Sequence, residues 1–176
     1  MKTHKKSIYL LFAVLSFILL GLTQVNAQKD DKYGDLERPE NLGNADFDNF
    51  KNSAFDIYFN VGKLDENLKK VETNLVEYKK DVNNINITSL KSDIKSLNEI
   101  NESLVKLQKE TADLKDKSES MVKEAKNFKP AMKAPKAVNN TNKSVTALDQ
   151  ANDRLKVLAE NQKQALATAK ELLGDK

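Results

Sequence analysis

The sequence predicts an all-α protein: an elongated antiparallel three-helix coiled-coil bundle that follows a cleaved signal peptide and an irregular acidic arm. Three observations carry that expectation. Apolar residues return every three or four positions through three long runs. One Asn-rich break and one Pro-containing break separate the runs. No stretch past Gln28 alternates apolar and polar residues as a half-buried strand would.

The leader comes first. Met1 to Lys6 is a basic n-region, and Ile8 to Leu22 is an apolar run broken only by Ser16 and Gly21. Val25-Asn26-Ala27 then places small or modest side chains where signal peptidase reads, which makes residues 1–27 the expected signal peptide and Gln28 the new N-terminus. A membrane-spanning helix needs about 20 apolar residues, and this run is shorter. The sequence has no Cys, so it has no lipobox for lipid anchoring. The expected destination is the periplasm or the cell exterior.

Charge and composition narrow the chemistry. The chain has 29 basic and 26 acidic residues, and Lys2, Lys5 and Lys6 supply the whole excess. From Gln28 onward the two signs balance at 26 each. That neutrality argues against a nucleic-acid partner, which wants a basic footprint. The single His is His4, in the leader. The rest of the chain therefore holds neither imidazole nor thiol, and most metal, nucleophile and general-base constellations are removed. No cofactor, no metal and no enzymatic activity are expected.

Residues 28–44 read as a flexible arm, with Gly34, Pro39, Gly43 and five acidic residues between Gln28 and Gly43 and no apolar period. Asn44 to Asp46 then offers an N-cap. The first helix is expected over 45–83. Its seam runs Phe47, Phe50, Ala54, Ile57, Val61, Leu64, Leu68, Val71, Leu75, Tyr78, Val82 and Ile85, with spacings of three and four throughout.

Asn83 to Ser89 stacks residues that favour caps and turns. It predicts a tight helix–helix turn with Asn86 or Thr88 as the next N-cap. The second helix is expected over 87–128. Its seam passes Ile87, Leu90, Ile94, Leu97, Ile100, Leu104, Leu107, Thr111, Leu114, Ser118, Met121, Ala125 and Phe128, and slips once, with two consecutive threes around Leu97. Antiparallel folding at the turn pairs Tyr78 with Ile94, Leu68 with Leu104 and Phe47 with Ala125. Pro130 and Pro135 predict a loop. The third helix is expected over 138–173 with Val138, Thr141, Val145, Leu148, Asn152, Leu155, Ala159, Gln162, Leu166, Ala169 and Leu173 on its seam. A neighbouring stripe of Ala151, Leu158, Ala165 and Leu172 widens the apolar face, as suits a helix packed against two others. Residues 45–176 thus form the bundle domain.

Candidate functional features are few. Asp30 to Asp35 resembles a calcium loop only loosely, because Lys32 fills a slot where the alternating pattern wants an oxygen ligand. Asp46-Phe47-Asp48 is explained by the favourable interaction of first-turn acids with the helix dipole. Asn101, Asn152 and Gln162 sit on or beside the seams, where a polar residue fixes register at some cost in stability.

The aromatic cluster is more informative. Phe55 and Phe59 fall off the seam, four residues apart on one face. Either they form an exposed patch that meets a partner, or the arm folds back and covers them with Tyr33, Leu36 or Leu42. Antiparallel geometry brings the Pro loop to the same end. Phe55, Phe59, Met132, Lys129, Lys133 and Lys136 are therefore the candidate partner-contact residues. The partner is an unidentified envelope or secreted protein, or a second copy of the chain. The function expected is that of an exported, non-enzymatic structural or protein-interaction module. The alternative is a periplasmic holdase with coiled-coil arms, for which the strand body and the basic arm surface are both missing.

Overall fold

Each predicted run is a helix. The computed structural model describes residues 35–174, and the leader over 1–27 lies outside them. Helix α1 spans Ala45–Lys80, α2 Ile87–Lys126 and α3 Ala134–Gly174, with 3-10 turns at Val82–Asn84 and Ala131–Lys133. Among the described residues there is no strand. Helices of 36, 40 and 41 residues are ~54–62 Å long at 1.5 Å per residue. Together they form an all-α three-helix bundle, running up, down and up.

Side-chain caps set the helix starts. The Asn44 side chain accepts from the Asp46 and Phe47 amides at 3.1 and 3.4 Å. The Asn86 side chain does the same for Thr88 and Ser89 at 3.0 and 3.1 Å. Each cap satisfies amides that have no intrahelical partner.

The ends differ from expectation for local reasons. Helix α1 stops at Lys80 rather than 83, because Asp81 leaves helical geometry (φ −139°, ψ 74°) and binds Asn84. The Asn84 amide donates to the Asp81 carbonyl at 3.2 Å, and the Asn84 side chain donates to the Asp81 carboxylate at 2.8 Å. Helix α2 stops at Lys126 rather than 128, where Asn127 and Phe128 donate to carbonyls three residues back. Helix α3 begins four residues earlier than expected. Pro135 lies in its first turn, where no amide hydrogen is needed and a fixed φ near −65° suits the helix. That proline starts the helix instead of breaking it.

The α1 seam from Phe47 to Leu75 is buried as the spacing predicts, while Tyr78 is half-buried and Val82 exposed. The α3 seam is offset. Its interior columns are Thr141, Leu148, Leu155, Gln162 and Ala169 together with Ala137, Ser144, Ala151, Leu158, Ala165 and Leu172. Val138, Val145, Asn152, Ala159, Leu166 and Leu173 are only half-buried. Helix α3 makes more contact with each neighbour than they make with each other. Ala and Ser on its inner face allow that close approach, so the larger valines and leucines are left at the flank.

Cross-helix contacts confirm the antiparallel sense. The Tyr78 hydroxyl donates to Asp93 at 2.8 Å near the turn, one position from the expected Tyr78–Ile94 pair. At the other end Phe47 meets Phe128 edge-on at 5.0 Å, one turn beyond Ala125. Gln162, buried in the core, donates to the Leu97 carbonyl in mid-α2 at 3.0 Å. Of the three polar seam candidates only Gln162 enters the core; Asn152 is half-buried and Asn101 exposed. The buried Thr111 and Ser144 hydroxyls donate to carbonyls one turn back at 2.6 and 2.8 Å, so neither goes unsatisfied.

An ion pair ties α1 to α3. Arg154 donates to both Asp65 oxygens at 2.6 Å, and Lys69 stands 3.2 Å from the same carboxylate. Burial, and then the Asp65 charge, hold the Glu72 carboxyl above its ordinary range.

Truncating the seam at Leu68→Ala or Leu104→Ala, where both side chains are buried, is expected to cost ~2–5 kcal/mol. Lys106→Ala, at an exposed position, should stay within about 0.5 kcal/mol of wild type. Chemical denaturation of the three variants checks this; equal losses would mean the seam does not face a core.

Candidate interaction site

The end of the bundle that holds the first helix start also holds the arm. Residues 35–44 adopt no helix or strand, yet side chains of α1 and α3 anchor them. Asp48 accepts the Leu42 and Gly43 amides at 2.7 and 2.9 Å. Lys51 donates to the Pro39 carbonyl at 2.9 Å and to the Asn41 side chain. From α3, Asn140 donates to the Glu40 carbonyl at 2.8 Å. Lys133 reaches the Leu42 carbonyl at 3.1 Å, and Lys136 pairs with the Glu40 carboxylate at 2.8 Å. The Lys136 hydrogen bond, then its charge, lower the Glu40 carboxyl from its ordinary value. Higher up, Arg38 pairs with Asp56 and lies over the Phe59 ring at 5.6 Å. The expectation of a free arm is therefore corrected over 35–44, because each of these anchors supplies a hydrogen bond or an ion pair.

Docking of the arm decides where the candidate residues stand. Phe55 is 0% exposed. It packs against the Tyr58 and Phe59 rings at 6.3 and 6.0 Å. It lies between two anchors of the arm, Lys51 one turn below and the Arg38–Asp56 pair beside it. The exposed-patch expectation is corrected for Phe55, which is an interior residue. Phe59 keeps 36% of its surface. Leu42, offered as a cover, is buried and Leu36 half-buried, while Tyr33 and the Asp30 to Gly34 part of the calcium-like stretch lie outside the described residues.

The remaining candidates do not form one patch with Phe59. From Phe47 to Phe59 the helix climbs ~18 Å at 1.5 Å per residue, whereas Met132, Lys129 and Lys133 belong to the loop at the bundle end. Met132 is 93% exposed. Lys129 is exposed and borders a shallow hollow lined by Asn44, Phe47, Lys123, Glu124, Asn127 and Phe128. Lys133 and Lys136 are exposed, and both hold the arm.

The sequence reading missed three residues that build this end. Asp48 is visible in the D-x-D pair, but its role as acceptor for two arm amides is not. Asn140 looks like one polar residue among many near the start of α3. Lys51 reads as a solvated lysine and is only 3% exposed. Burial is the main cause that lowers its ammonium from the ordinary value. Arg38 and Lys136 add to that shift, and Asp48 partly offsets it.

Among the described residues, no group of His, Cys, Asp and Glu is arranged to hold a metal ion. No helix there is long and apolar enough to cross a membrane. Comparison with protein-family models, curated proteins and solved structures finds no match to this chain. The geometry therefore has to carry the functional reading.

Two outcomes follow from the anchors. Asp48→Ala removes the acceptor of two arm amides; it should cost about 1–3 kcal/mol and speed cleavage after Glu40 by a glutamate-specific protease. Lys51 supplies a pH test. Its folded pKa is depressed, so between that value and the ordinary ~10.4 the unfolded chain holds more protons. Stability then rises with pH in that window. Melting of wild type and Lys51→Met from pH 7 to 10.5 should show wild type gaining on the variant; a constant gap would mean that the ammonium carries no burial penalty.

Proposed function

We propose that this protein is an exported, non-enzymatic helical bundle that serves as a structural or protein-interaction module of the cell envelope, with the loop between α2 and α3 as its contact end. Met132 carries the reading. It projects from that loop with 93% of its surface exposed, between Lys129 and Lys133. An apolar side chain so placed gains nothing from its own chain, while full burial in a partner is worth ~1.5–3 kcal/mol. Apolar anchors ringed by polar residues are the usual energetic centre of an interface. Phe59, with its Arg38 cover, is a second and separate apolar surface.

Export rests on the leader pattern over 1–27. The non-enzymatic reading rests on the absence of imidazole and thiol past Gln28. A nucleophile would then need a Ser–Lys pair or a carboxylate dyad set in a concave apolar cavity. The long helices support a spacing or docking role, since three packed helices of this length hold their two ends apart.

The test compares capture from an envelope fraction by wild type and by Met132→Ser with Lys129→Glu. Both changes are at exposed loop positions, so melting should stay within about 0.5 kcal/mol. Capture of the principal co-purifying protein should weaken at least tenfold, which corresponds to about 1.4 kcal/mol. Unchanged capture by the double variant would remove the loop from the interface. Suppression of light scattering from a denatured client, with no effect of the loop changes, would favour a holdase instead.

A further inference from the structure

The arm is held chiefly through its main chain. Three carbonyls, those of Pro39, Glu40 and Leu42, accept from Lys51, Asn140 and Lys133 at 2.9, 2.8 and 3.1 Å. Two amides, those of Leu42 and Gly43, donate to one carboxylate, Asp48, at 2.7 and 2.9 Å. The receiving side chains come from two helices and from the loop between α2 and α3. Together they form a groove that holds an irregular segment by its backbone. Leu42 of the arm and Phe55 of α1 are buried, at 5% and 0% exposure.

The connection between strand and groove is short and depends on one residue. Gly43 turns the chain back onto α1 with φ +80°, a conformation that L side chains rarely adopt. A Cβ built at Gly43 meets no atom within 4 Å. The turn is therefore limited by backbone conformation and not by space. If the turn opens, Leu42 loses its burial, and the arm and its anchoring side chains each present unmatched hydrogen-bonding groups. The surface that fits the freed arm is the same groove on another copy.

We propose that the α1/α3 groove is a binding site for an extended strand, and that the arm of a second copy is its partner, giving dimers by arm exchange. This goes beyond the contact proposed for the Met132 loop and does not depend on it. The exchanged state keeps every anchor of the closed state, with Asp48, Lys51, Lys133, Lys136 and Asn140 of each copy holding the other's residues 38–43. The two states differ in the Gly43 turn and in the association of two chains. High concentration, or a residue that opposes the turn, should shift the balance towards exchange.

Variants of the mature chain, without the leader, test the idea in two ways. Gly43→Val puts a β-branched residue where positive φ is needed. Gel filtration with light scattering should show a doubling of mass relative to wild type, with unchanged helicity and with the bond after Glu40 still protected from a glutamate-specific protease. Mixing a Glu40→Cys chain with a Lys136→Cys chain, followed by a short bis-maleimide, should yield a cross-linked heterodimer. Its yield should increase several-fold when both chains also carry Gly43→Val. The double variant Glu40→Cys, Lys136→Cys should cross-link within one chain and so verifies the reach of the reagent. A Gly43→Val protein that stays monomeric while the bond after Glu40 becomes cleavable overturns the proposal. So does the absence of heterodimer alongside an efficient cross-link within one chain.

Discussion

The close approach of α3 to both other helices is the constraint on which the rest depends. A hairpin of α1 and α2 alone would pair two narrow seams and leave one side of each open to water. Helix α3 closes both sides because its inner face is built from small residues: Ala137, Ser144, Ala147, Ala151, Ala165 and Ala169 are all buried. Small side chains let helix axes approach, and the larger Leu148, Leu155 and Leu158 fill the space between them. Apolar burial at about 25 cal/mol per Å² then acts along the full length of the helices. Moving α3 outward would expose the flanks of both partners at once.

Polar groups inside that interior determine which arrangement forms more than how stable it is. Seams of three and four can slide by a heptad with little change in apolar contact. Gln162 resists such a slide, because away from the Leu97 carbonyl its amide would be buried without a partner. The Arg154–Asp65 pair does the same between α1 and α3. Its net contribution is small, since desolvation offsets attraction and Lys69 shares the Asp65 carboxylate. Asp93, which accepts from Tyr78 at 2.8 Å and Asn74 at 3.2 Å, holds the turn end in the same way.

At the opposite end the arm is ordered by chemistry unlike that of the bundle. Fixing an irregular segment costs roughly 1–2 kcal/mol per residue of backbone entropy, and residues 35–44 have no helical or sheet ladder to offset it. Hydrogen bonds to Asp48 and from Lys51, Lys133 and Asn140, with burial of Leu42, supply the compensation locally. The helices thus present two kinds of surface at this end. One is a groove that binds main chain, and the other is the Met132 loop, which leaves an apolar side chain in water. The first explains why Phe55 is not a contact residue; the second leaves Met132 as the candidate that burial does not remove.

Periodicity determined the all-α class and the three helices, because a spacing of three and four specifies a helix with one buried stripe, whatever it packs against, and the short breaks between the runs determined the antiparallel sense. The Asn44 and Asn86 caps were legible for the same local reason. Beyond that, local pattern was insufficient. On α3 the widened face with Ala151, Leu158, Ala165 and Leu172 was legible, but only packing against two neighbours decided that Val138, Val145, Asn152, Ala159, Leu166 and Leu173 of the expected seam stay at the flank. Pro135 had the chemistry of a breaker and of a first-turn residue, and the chain geometry after Pro130 selected the second. Phe55 looked exposed because it falls off the heptad seam, and Lys51 looked solvated because its partners are carbonyl and amide groups that every sequence contains. Burial that arises between two distant segments leaves no periodic signal in either of them, so tertiary structure alone decided the arm, its groove and the fate of the aromatic cluster.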